Sequence, residues 1–129
     1  MTDPLFLTIE EVIVLNQSQI DAHGGIHGIR DRGGLESALG APRNHLAYMG
    51  GDLFDLAGTL MASLPRNHPF LDGNRRTGLL AAAVFLELNG VNVPESPEWL
   101  HEIEAMALGI ACGKRDKEDA VELVRRHCS

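Results

Sequence analysis

Residues 67–78 read Asn-His-Pro-Phe-Leu-Asp-Gly-Asn-Arg-Arg-Thr-Gly, placing an imidazole, a carboxylate, an amide and two guanidinium groups within a dozen positions. Each group has a plain structural reading alone: a histidine packs, and an aspartate before Gly-Asn turns the chain. Their conjunction matches a specific chemistry. Imidazole is the side-chain type that accepts a proton near neutral pH, as activating a hydroxyl nucleophile requires, which points to His68. A magnesium ion is commonly held by one or two carboxylates together with substrate phosphates, a role open to Asp72. Gly73 permits close backbone approach, Asn74 can cap a helix, and the forks of Arg75 and Arg76 suit phosphate oxygens. Together these are the parts of a group transfer from a nucleotide to an alcohol. A magnesium-dependent hydrolase needs a fuller ligand set than His68 and Asp72 supply.

The surrounding pattern puts this cluster on a loop leading into a helix. Leu53, Leu56, Leu60 and Leu64 keep helical register from Asp52 to about Leu64, and a mostly apolar helix starts at Asn74, stopped by Asn89-Gly90. Such an apolar helix is expected to be central. Its N-terminus, with unpaired N–H groups and a positive dipole end, is where an anion would sit. Upstream, Thr8-Ile9-Glu10-Glu11 has the spacing of a capping box, opening a helix to about His23. Five glycines among residues 24–34 then predict an ordered loop or irregular hairpin, and Leu35 to Leu39 a short helix closed by Gly40 and Pro42. Ser96-Pro97 opens a helix to about Cys112, and Asp116 caps the last, which ends in Arg125, Arg126 and His127. The expected fold is all-α, about six helices in one domain over residues 1–129, with a glycine-rich flap.

Bulk properties narrow the function. The net charge of −7 excludes a broad cationic surface for a polynucleotide, whereas Arg66, His68, Arg75 and Arg76 concentrate positive charge in one window. A small anion such as a nucleotide fits better than nucleic acid. No apolar run reaches the roughly 18 residues of a membrane span, and the start MTDPLFLTIEE lacks the basic and apolar segments of a signal peptide, so a cytoplasmic location is expected. Cys112 and Cys128 read as unpaired thiols.

From His68 onward, HPFLDGNRRTG resembles the signature of the Fic (filamentation induced by cyclic AMP) superfamily, His-x-Phe-x-Asp/Glu-Gly-Asn-Gly-Arg-x-x-Arg. His68, Phe70, Asp72, Gly73, Asn74 and Arg76 match; Arg75 stands at the pattern's glycine and Leu79 at its last arginine. Both departures resemble the death-on-curing branch, toxins of toxin–antitoxin modules, where a lysine commonly stands at the position of Arg75. FLTIEEV, GGIHGIRDRGGLESAL and FLELNG extend the likeness over nearly the whole chain.

The resemblance implies catalytic roles for His68 as base, Asp72 as magnesium ligand, Asn74 and Arg76. It implies that Gly73, Asn74, Arg75, Arg76 and Thr77 bind the nucleotide, and that a flap of about Gly24 to Gly34 pairs with an extended stretch of the target, for which Ile29, Arg30 and Asp31 are the candidate target or site contacts. Death-on-curing toxins transfer the γ-phosphate of ATP to a threonine of elongation factor Tu and arrest translation; most Fic proteins instead transfer AMP to a protein hydroxyl. A cation beside Asn74 favours the kinase. AMP transfer stays as an alternative, and so does a catalytically weak nucleotide- or partner-binding module, because arginine does not replace lysine conservatively at a phosphate site. No Ser or Thr has Glu four residues later, as a built-in inhibitory helix of the family would require, so a separate antitoxin is the expected partner.

Overall fold

The computed structural model describes residues 3–129 and contains six helices: α1 Ile9–His23, α2 Arg32–Met49, α3 Leu53–Asn67, α4 Asn74–Leu88, α5 Pro97–Ala111 and α6 Lys117–His127. The all-α expectation is met; the described residues form no strand beyond one isolated antiparallel bridge, Ile29 to Phe70.

The central helix is α3, not α4. Every residue from Leu56 to Leu64 is buried, because α3 packs against α2, α4, α5 and α6 at once. At Gly58 this packing leaves no room for a side chain, since a Cβ there would collide with Val121 Cγ2 of α6. On α4, Ala81, Ala82, Phe85 and Leu86 are buried, but Leu79, Leu80 and Ala83 are half-buried. They line an open groove of about 470 Å³ with Val93 and with Trp99, Leu100 and Ile103 of α5. The apolar excess of α4 thus divides between core and groove.

The expected short helix at Leu35–Leu39 is instead an 18-residue helix that runs through Gly40 and Pro42. Proline lacks the N–H that would bond the carbonyl four residues back, here that of Ala38. The Ser63 hydroxyl of α3 donates to the Ala38 carbonyl at 3.0 Å and replaces the missing bond. Gly33 and Gly34 fall in the first turn of α2, leaving residues 24–31 as the flap. Three of the capping expectations hold: Thr8 with Glu11, Ser96, and Asp116 with Asp119 cap α1, α5 and α6.

Candidate active site

His68 terminates α3 in the left-handed conformation, φ 46° and ψ 51°, and is the non-glycine residue with positive φ among those described. That conformation costs an ordinary residue about 1 to 2 kcal/mol, so the contacts around it must hold it. The turn projects the exposed imidazole beside Arg66, Asn74 and Arg75 into a cavity of about 400 Å³, floored by Met61, Ala62, Ile110 and Ala111. After His68 the chain turns back under two anchors. Phe70 is 1% exposed and belongs to the core. Its peptide is clamped by one side chain: the Phe70 N–H donates to Asn74 Oδ1 at 2.9 Å, and Asn74 Nδ2 donates to the Phe70 carbonyl at 3.0 Å.

That clamp corrects the reading of Asn74 as a cap. The N-cap of α4 is Gly73, at φ 75°, with no side chain bonded to the free N–H groups of the first turn. The uncapped N-terminus keeps those donors for a ligand, and its positive end of the dipole faces the same place. A Cβ at position 73 would come within 3.3 Å of Asn16 Nδ2 and adopt a disfavoured φ, so glycine is required there.

Beneath the loop lies Asn16 of α1, 2% exposed. Its Nδ2 donates to the Asp72 carbonyl at 3.0 Å and to the Thr77 hydroxyl at 3.1 Å. Thr77 is fully buried, and its own N–H donates to the Gly73 carbonyl at 2.9 Å. Thr77 therefore braces the start of α4 from behind, and its side chain is closed to solvent, unlike the exposed contact expected of a nucleotide-binding residue. Sequence reasoning passed over Asn16; the available signal was an amide on the Val12, Asn16, Ile20 stripe of α1, whose other members are buried and apolar.

The flap crosses the loop as a short antiparallel pairing. The Arg30 and Asp31 N–H groups donate to the Pro69 carbonyl at 2.8 and 3.0 Å, and the Leu71 N–H to the Gly28 carbonyl at 3.0 Å. In such a pairing the N–H and C=O of Ile29 point away from Phe70, toward the outer edge. Arg30 turns inward onto the carbonyls of His68 and Asn67. Asp31 caps α2, its Oδ1 accepting from the Gly34 N–H at 2.9 Å.

Asp72 is half-buried, and its Oδ2 accepts the Ile26 N–H of the flap at 2.8 Å. Oδ1 has no partner among the described residues. No group of three His, Cys, Asp or Glu side chains converges as a metal cage among those residues. A single free carboxylate oxygen beside the open N-terminus of α4 would suit magnesium held largely by phosphate oxygens and water, and does not suit a structural zinc.

Arg75 and Arg76 separate in space. Successive helical residues point about 100° apart. Arg75 lines the cavity of His68, whereas Arg76 lines the apolar groove with Gln19, His23 and Glu104. The structure thus brings together His68, Asp72, Gly73, Asn74 and Arg75 around the start of α4, with Arg76 on its flank.

A family model described as the Fic/DOC family matches residues 6–86, spanning α1, the flap, the loop and nearly all of α4. The chain belongs to the Fic/DOC family. Among curated Fic/DOC relatives, a protein kinase doc of Escherichia phage P1 is 35% identical over 118 residues, covering 91% of this chain and 90% of that protein. A toxin Doc of Mycolicibacterium smegmatis is 42% identical over 76 residues, 56% of this chain and 57% of that protein. No helix among the described residues is long and apolar enough to cross a membrane.

Proposed function

We propose that this Fic/DOC chain is a Doc-type toxin that transfers the γ-phosphate of ATP to a hydroxyl of a target protein, a threonine of a translation factor such as elongation factor Tu. The observation that carries the reading is the uncapped N-terminus of α4, with His68 and Arg75 on one cavity beside it and Asp72 immediately before it. Its first-turn N–H groups and Arg75 bind the phosphates, and Arg76 approaches from the flank. An imidazole nitrogen of His68 takes the proton as the target oxygen attacks the γ-phosphorus; the new O–P bond forms, the bond to the β-γ bridging oxygen breaks, and ADP leaves. Magnesium, held by Asp72 Oδ1, would neutralise charge on the phosphates. The relative named as a protein kinase, matched across nearly its whole length, supports this choice over AMP transfer.

The exposed edge of Ile29 offers an extended target segment the main-chain donor and acceptor of a missing strand. Restraint falls to a separate antitoxin chain, for which the groove lined by Leu79, Leu80, Leu100 and Ile103 provides an open apolar face. The reading is tested by expression in a bacterial host. Growth arrest is expected from the native chain and none from His68→Ala or Asp72→Ala at equal protein level; arrest that persists in both variants would refute it.

A further inference from the structure

The guanidinium of Arg30, though exposed, reaches back across the flap to the end of α3. Its Nε donates to the His68 carbonyl at 2.7 Å and its Nη2 to the Asn67 carbonyl at 3.3 Å. Its backbone N–H donates to the Pro69 carbonyl at 2.8 Å. One residue thus engages three successive carbonyls, those of Asn67, His68 and Pro69, and the middle one belongs to the residue in left-handed conformation. A planar fork can bond two carbonyls of a helix end together, and its charge meets the negative end of the α3 dipole. Local sequence gives His68 no such hold. Its own N–H donates to the Pro65 carbonyl at 3.2 Å, leaving its carbonyl to be fixed from the flap.

We propose that Arg30 is a positioning residue, whose side chain holds the His68 peptide left-handed and so aims the imidazole at the target hydroxyl; this rests on the reading of His68 as the base. The flap then has two jobs on its two sides: the outer edge at Ile29 faces the target, and the inner side at Arg30 sets the base. Because Arg30 is exposed, its bonds compete with water and its removal changes the geometry of the site more than the stability of the fold.

The experiment compares the full chain with Arg30→Ala and Arg30→Lys by three measurements: backbone carbon chemical shifts of His68, which report φ and ψ; thermal unfolding; and steady-state transfer from ATP. The native chain should show shifts typical of positive φ. Arg30→Ala should move them toward ordinary values, with kcat lower by roughly tenfold to a hundredfold, the range that misplacing a reacting group costs, and KM for ATP unchanged. Arg30→Lys, which keeps the charge without the fork, should fall between the two. Should the alanine variant fail to fold, the lysine variant carries the comparison. His68 shifts identical in all three chains would overturn the proposal, as would a raised KM at unchanged kcat. If the native chain transfers no phosphate, the kinase reading fails, while the His68 shifts still decide the role of Arg30.

Discussion

At the scale of single residues, the site depends on side chains that contact no ligand as much as on those that would. Asn16 is the clearest case, because one buried amide ties α1 to both the Asp72 carbonyl and the Thr77 hydroxyl. Asn16→Ala is expected to cost about 1 to 3 kcal/mol in urea unfolding, the price of leaving buried polar groups unpaired. Among the reacting groups, His68→Ala should lower transfer by at least about a hundredfold, as loss of a general base does, while leaving ATP binding measurable by calorimetry. Arg75 decides between an active and an inert chain. If the native arginine serves phosphate binding, Arg75→Lys keeps activity within about tenfold, or roughly 1.4 kcal/mol of transition-state binding. A gain of orders of magnitude would instead mark the native chain as a weakly catalytic binding module.

At the scale of elements, the features hardest to read in the sequence are those completed from far along the chain. Gly40 and Pro42 are ordinary helix breakers by any local rule, and α2 passes through them because Ser63, over twenty positions away, supplies the missing donor to Ala38. Ser63→Ala should therefore destabilise the fold by about 1 to 3 kcal/mol, read in chemical denaturation. The capping boxes and the Asn89-Gly90 stop were legible because their partners lie within one turn. The stretch of residues 67–78 was legible as a cluster, but the inward turn of Arg30 follows from pairing with a segment far along the chain, and the clamp of Asn74 on Phe70, though only four residues apart, takes the side chain away from the capping role its place at a helix start suggests. A second long-range tie joins α6 to α3, where Arg125 bonds the N-cap Asp52 at 2.9 Å. Burial raises the Asp52 carboxyl, but the Asp55 N–H and side chain and the Arg125 guanidinium outweigh it and hold it below its ordinary value. A lowered native pKa means that the charged form is favoured by folding; its contribution is complete above the ordinary value of 3.8 and is lost as pH falls through the native one. The stability gap between the native chain and Asp52→Asn, which keeps a capping side chain, should be under about 1 kcal/mol at neutral pH for so exposed a pair, and close below that value.

At the scale of the whole molecule, the central α3 and the neighbouring α4 meet at the site, so the end of one and the start of the other face a common cavity. The core fixes both helices, Phe70 pins the loop between them, and the flap closes over it by the Ile29 to Phe70 pairing. On the far flank of α4 the apolar groove remains open, and under the proposed function it would take the antitoxin while the cavity of His68 takes the nucleotide. Such a layout predicts that Leu100→Glu, in the groove and half exposed, leaves transfer intact while weakening neutralisation by a co-expressed antitoxin. A Doc-type kinase and an AMP transferase differ in the group they transfer. Purified native chain is incubated with a bacterial lysate, magnesium and ATP labelled at either the α or the γ position, alongside His68→Ala. Label from the γ position alone should appear on one translation factor and vanish in the variant; label arriving from the α position would contradict the account and make the chain an AMP transferase.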